Sequence, residues 1–186
     1  ASHESQVVGE LAGLLRIPNV ASDLPNIRRN ADEIVAMLRR RGLRAELLEG
    51  AGGPPGIFGE LRVPGARRTV LLYAHYDGQP VRADAWKSGP WEPTLRSAPV
   101  EAGGHPVAWP AGGGRFDPEW RLYARSASDD KAPIVGVLAA LDALSASRMA
   151  PSVHLKLFFE GEEEAGSPHM AAFLERHADR LAADMW

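Results

Sequence analysis

The chain has no cysteine, which excludes disulfides and thiolate metal sites and leaves His, Asp and Glu as the side chains able to hold a metal ion. It also has no Lys- or Arg-rich run. With 21 basic residues against 24 acidic ones, the clustered cations that a nucleic-acid or acidic-membrane surface needs are missing, so small-molecule partners are expected. No apolar stretch approaches the roughly 20 residues of a membrane span. The opening Ala1-Ser2-His3-Glu4 lacks the basic and then apolar character of a signal segment. A cytoplasmic location is the favoured expectation, with a periplasmic or secreted one if a signal peptide precedes this numbering. Internal repeats and coiled-coil heptads are absent too. What remains is an ordinary globular composition, 45% hydrophobic and 24% charged over 186 residues, enough to bury one core.

Apolar spacing divides the chain into elements. Val7, Val8, Leu11, Leu14 and Leu15 recur with helical period, as do Ile27, Ala31, Ile34, Val35 and Leu38 ahead of a stop at Gly42. Residues 43–48 and 57–63 read as strands divided by the turn Gly52-Gly53-Pro54-Pro55-Gly56. The continuous run Val70-Leu71-Leu72 suggests a strand covered on both faces and central in its sheet. From 97 to 118, Gly103-Gly104, Gly112-Gly113-Gly114 and four prolines interrupt any period, as in a surface or active-site loop. Ile134, Val137, Leu138, Leu141 and Leu144 mark a helix with Pro133 in its first turn. A strand follows over 153–159, and Ser167 as N-cap with Pro168 at the first helical position opens a last helix. The resulting β-α-β-α order implies a helix-covered, mostly parallel sheet.

Three acidic blocks close strand-like runs: His75-Tyr76-Asp77, Asp129-Asp130-Lys131 and Glu162-Glu163-Glu164. Carboxylates and an imidazole at strand ends are what a divalent cation takes as ligands. Each block also has a plain alternative. The first could be a loop histidine with a solvated neighbour, the second a pair of helix-capping acids, and the third a solvated charge run. Against the last stands its place between an apolar strand and a helix start, where adjacent like charges repel without a cation to share.

Taken together, Leu72-Tyr73-Ala74-His75-Tyr76-Asp77-Gly78-Gln79-Pro80, Leu122-Tyr123-Ala124-Arg125-Ser126-Ala127-Ser128-Asp129-Asp130-Lys131 and Phe159-Glu160-Gly161-Glu162-Glu163-Glu164-Ala165-Gly166-Ser167 resemble a family of zinc-dependent dinuclear metallopeptidases. That family contains carnosinase-type dipeptidases, glutamate carboxypeptidase, aminoacylase and succinyl-diaminopimelate desuccinylase. The wording Tyr-Asp-Gly-Gln-Pro and Glu-Ala-Gly-Ser is nearest to the carnosinase-like branch. The resemblance implies a three-layer α/β/α catalytic domain and a metal-dependent hydrolase of amide bonds. Dipeptidase or carboxypeptidase-like activity and N-acyl amino-acid deacylation are both open, on small peptide or N-acyl amino-acid substrates. It also implies two divalent ions, zinc first with manganese or cobalt as alternatives, and a homodimer.

Residue by residue, the resemblance implies that His75 ligates one metal, that Asp129 bridges both and that Glu164 ligates the other. Asp77 would orient the His75 ring. Glu163 would be the general base, taking a proton from a metal-bridging water and passing it to the leaving nitrogen. The bond between Asp129 and Asp130 would be cis. Two departures stand out. Ala124-Arg125-Ser126 replaces the usual Gly-Arg-Gly, and Ala132 replaces a common glycine. Family members also carry a further aspartate, a late histidine and a lid or dimerisation domain that this chain does not contain. Residues 1–186 are therefore expected to be the amino-terminal part of the catalytic domain, inactive or catalytically silent by itself. His3, His105, His154, His169 and His177 are read as non-ligands.

Overall fold

The computed structural model describes every residue except 1, 2, 51, 112 and 113. The predicted loop residues Gly112 and Gly113 thus lie outside the described residues, as do Ala1 and Ser2. In chain order the elements are α1 (Glu4–Leu15), α2 (Leu24–Arg40), β1 (Arg44–Leu48), β2 (Gly56–Leu61), β3 (Thr69–His75), β4 (Thr94–Arg96), β5 (Arg121–Tyr123), α3 (Lys131–Ala146), β6 (His154–Glu160), α4 (Met170–Arg176) and α5 (Ala178–Leu181). Helix α2 shows why its sequence folds locally. Asp23 caps it by accepting the Asn26 N–H, Pro25 sits in its first turn, and Gly42 beyond its end takes the left-handed φ of 79° that a side chain disfavours.

One sheet runs in the order β1-β2-β6-β3. Its alternating side chains separate two cores. Ile57, Leu157, Phe159, Ala74 and Tyr76 pack with Leu14, Ile27, Ile34, Leu38 and Leu138 of α1, α2 and α3. Phe58, Phe158 and Leu71 face the other way, against Phe173 and Leu181 of α4 and α5. Three layers result, as expected. No helix among the described residues is long and apolar enough to cross a membrane.

Several expectations need correction. The sheet is mixed rather than mostly parallel: β3 and β6 are parallel, but β2 is antiparallel to both β1 and β6. A short turn can only reverse the chain, so β1 and β2 form a hairpin, whereas α3 lets the chain return from β3 to a parallel β6. Strand β3 is at the end of the order and β6 is inside it. Helices covering both faces made Val70-Leu71-Leu72 continuously apolar, and face coverage carries no information about neighbours in the plane. Along its outer edge, β3 meets Asp184 and Met185, through Asp184 N–H to Thr69 O and Leu71 N–H to Met185 O. Strand β5 is outside this sheet and pairs with β4 in a separate antiparallel hairpin. Part of the Gly/Pro stretch extends that hairpin, with Ser97 N–H donating to His105 O and Val107 N–H to Leu95 O. Ser167 is not an N-cap. It has a φ of 51°, away from the extended region a cap requires, and α4 begins at Met170 after His169.

Candidate metal centre

The parallel pairing of β3 with β6 sets His75 opposite Glu160, so the residues that follow each strand emerge together at one edge of the sheet. His75 is buried. Tyr76 points into the helical core, and its hydroxyl donates to Pro55 O at 2.5 Å. Asp77 returns to the side of His75 and is fully buried. Its Oδ1 accepts the Glu163 N–H at 3.1 Å and its Oδ2 the Glu164 N–H at 2.9 Å, so one carboxylate fixes the turn that carries the third block. The same Oδ1 lies 3.3 Å from His75 Nδ1, out of hydrogen-bond alignment.

The second block arrives from the β4–β5 hairpin, not from a strand of the main sheet. A buried polar clamp brings it in. Asn19 Nδ2 donates to Tyr76 O at 2.7 Å and to Ser126 Oγ at 3.1 Å, joining the two loops. Gly78 has to be glycine here, because a Cβ would come 2.3 Å from Ser126 Oγ. Ser126 itself has a φ of 61°, which accounts for the glycine more usual at this position, and its bonds to Asn19 offset the conformational cost. The Asp129–Asp130 bond is cis, as the resemblance implies. Asp129 Oδ1 lies 2.9 Å from His75 Nε2, and Asp130 Oδ2 accepts the His75 N–H at 3.2 Å. Next in sequence, Lys131 is buried, and its Nζ donates to Leu14 O and Ile17 O at 2.9 Å each, tying the end of α1 to the start of α3. Burial pushes its pKa down to about 7.

Glu163 reaches the ring as well, its Oε2 lying 3.7 Å from His75 Nε2 with the carboxylate half exposed. Burial disfavours a charged imidazole, but Asp77, ahead of Asp129 and Asp130, outweighs it and pushes the His75 pKa up to about 9. A metal binding at this nitrogen would have to displace that proton. Glu164 does not meet the ring; its Oε2 accepts Gln79 Nε2 at 2.6 Å. Of the five residues proposed from sequence, His75, Asp77, Asp129 and Glu163 therefore meet directly, and Glu164 is linked to them through Asp77. An imidazole nitrogen touching a carboxylate oxygen, with further glutamates alongside, is a nitrogen-and-oxygen donor set that suits a divalent ion. Among the described residues, no three such side chains already form a group that could hold one.

Glu162 turns away from this cluster. It accepts the His169 N–H at 2.9 Å and faces His169 Nδ1 at 2.9 Å, a structural pair packed against Gly53. Sequence reasoning missed Asn19, which sits in an aperiodic loop and has no local signal, and Gln79, whose signal was its place beside Asp77 in the first motif.

Residues 71–185 match Peptidase family M20/M25/M40. A Cys-Gly metallodipeptidase of Schizosaccharomyces pombe is 26% identical across 97% of the chain, which covers 36% of that protein. Human Beta-Ala-His dipeptidase is 30% identical across 69% of the chain and 21% of its own length. Among solved structures, an M20 family metallo-carboxypeptidase from Sulfolobus solfataricus aligns with a TM-score of 0.76 at 28% identity, over 96% of this chain and 36% of that one. The chain thus spans about a third or less of the length of these relatives.

Proposed function

Because the chain belongs to peptidase family M20/M25/M40, we propose that the protein carrying it hydrolyses the amide bond of dipeptides at a divalent-metal centre. The chain would supply the amino-terminal part of the catalytic domain. One observation carries this reading: side chains from three separate acidic blocks lie around His75, with Asp129 at 2.9 Å, Asp77 at 3.3 Å and Glu163 at 3.7 Å. The dipeptidase names of the Schizosaccharomyces pombe and human relatives support the substrate class.

In this reading His75, Asp129 and Glu164 hold the metal, taken to be a pair of zinc ions. When bound, such ions polarise the scissile carbonyl and lower the pKa of water. The remaining work falls to the chain's own residues. Asp77 sets a negative charge 3.3 Å from the His75 ring and, through its two bonds to backbone N–H groups, fixes the turn that carries Glu163 and Glu164. Glu163 is half exposed and lies beside His75, so its carboxylate would take a proton from the attacking water and pass it to the leaving nitrogen.

The test is Glu163→Gln beside Glu164→Gln in the whole protein, with dipeptide hydrolysis and bound zinc measured together. Glu163→Gln should keep its zinc and lose about 10²–10⁴-fold in rate, while Glu164→Gln should lose zinc. A Glu163→Gln protein working at full rate would sink the assignment.

A further inference from the structure

We propose that Gln79 is a positioning residue that pre-sets the Glu164 carboxylate for metal binding; the inference rests on the reading above, in which Glu164 is a ligand. A glutamate has a long, rotatable side chain, and ordering it only when the ion arrives weakens binding. Here it is held at both ends by one short loop. Asp77 Oδ2 accepts its backbone N–H at 2.9 Å, and two residues later Gln79 Nε2 donates to its Oε2 at 2.6 Å.

The loop is itself pinned. Gly78 N–H donates to Asn19 O at 2.7 Å, and Gly78 packs against Ser126 Oγ; on the other side Pro80 fixes the backbone, and its carbonyl accepts Arg125 Nη2 at 3.4 Å. Gln79 is exposed, so its side chain contributes little to the core. Its amide also suits the task. A lysine there would neutralise Glu164 and compete with a cation, and an acid would repel it. A neutral donor orients the carboxylate and leaves its charge available.

Zinc affinity of the whole protein, measured by chelator competition, tests this. Gln79→Ala should weaken binding by about tenfold or more, in the range typical of groups that support a ligand. The lost activity should return in excess zinc, and thermal unfolding of the metal-free protein should not change. In a Glu164→Gln background, Gln79→Ala should cause no further loss. If the parent binds zinc and Gln79→Ala binds it as tightly, or the loss is as large in the Glu164→Gln background, this inference fails and the proposed function stands. If the parent binds no zinc, both fall.

Discussion

Gly161→Ala should be among the most damaging single-methyl changes in this protein. Gly161 lies where β6 gives way to the third acidic block. A Cβ at this position would sit 2.4 Å from Tyr76 Oη, 2.6 Å from its Cζ and 3.1 Å from its Cε2. None of these atoms can yield cheaply, because Tyr76 is fully buried in the helical core and its hydroxyl is tied to Pro55 O. Forcing the ring aside costs about 1–3 kcal/mol as overpacking. Breaking the Tyr76–Pro55 bond and leaving a buried acceptor costs about 1–3 kcal/mol more. For a chain of this length the sum lowers Tm by roughly 4–24 °C. Thermal unfolding followed by far-UV circular dichroism measures it directly. Adding Tyr76→Phe should recover part of the loss, because it removes the nearest atom and leaves the next. A Gly161→Ala protein melting within about 1 °C of its parent would refute the claim that β6 and Tyr76 fit without slack.

Two further outcomes follow from buried polar groups. Asn19→Ala removes the bonds to Tyr76 O and Ser126 Oγ and should cost about 2–4 kcal/mol in urea unfolding; a loss below about 0.5 kcal/mol would show that the clamp is dispensable. Burial raises the pKa of Glu160 above its ordinary 4.5, even though Tyr73 Oη donates to the carboxylate. Its contribution to stability is therefore fullest below that ordinary value and is lost as pH rises through the folded-state value. Glu160→Gln keeps an acceptor for Tyr73 and should flatten this part of the pH dependence. Parallel urea midpoints for parent and variant across the acidic range would refute it.

Much of the local structure was legible because it depends on spacing within a dozen residues: α1, α2 and α3 follow a helical apolar period, and β1, β2, β3 and β6 show as short apolar runs. Pairing was not legible in the same way. The end position of β3, the reversal of β2 and the separate hairpin of β5 depend on contacts between distant segments. The site shows the same division. His75 and Asp129 meet as expected, but for a different reason, since Asp129 arrives from the hairpin through Asn19 and Ser126 and not from a strand of the main sheet. Asn19 and Gln79 are single polar residues in irregular loops, and only the folded chain shows what they hold.

The reversal of β2 also shapes the surroundings of the site. Because β2 runs against β6, with Ile57 opposite Phe159, the turn residues 52–55 lie over the same edge of the sheet as the glutamate block. Gly53 packs on Glu162 and His169, and Pro55 receives the Tyr76 hydroxyl. None of these turn residues is an expected ligand. A Cβ at Gly53 would come 2.7 Å from His169 Nδ1 and 2.8 Å from Glu162 Oε2, so this turn is held to one wording by the block it braces, and a side chain added there would disturb the glutamates from behind without touching any group assigned to the metal.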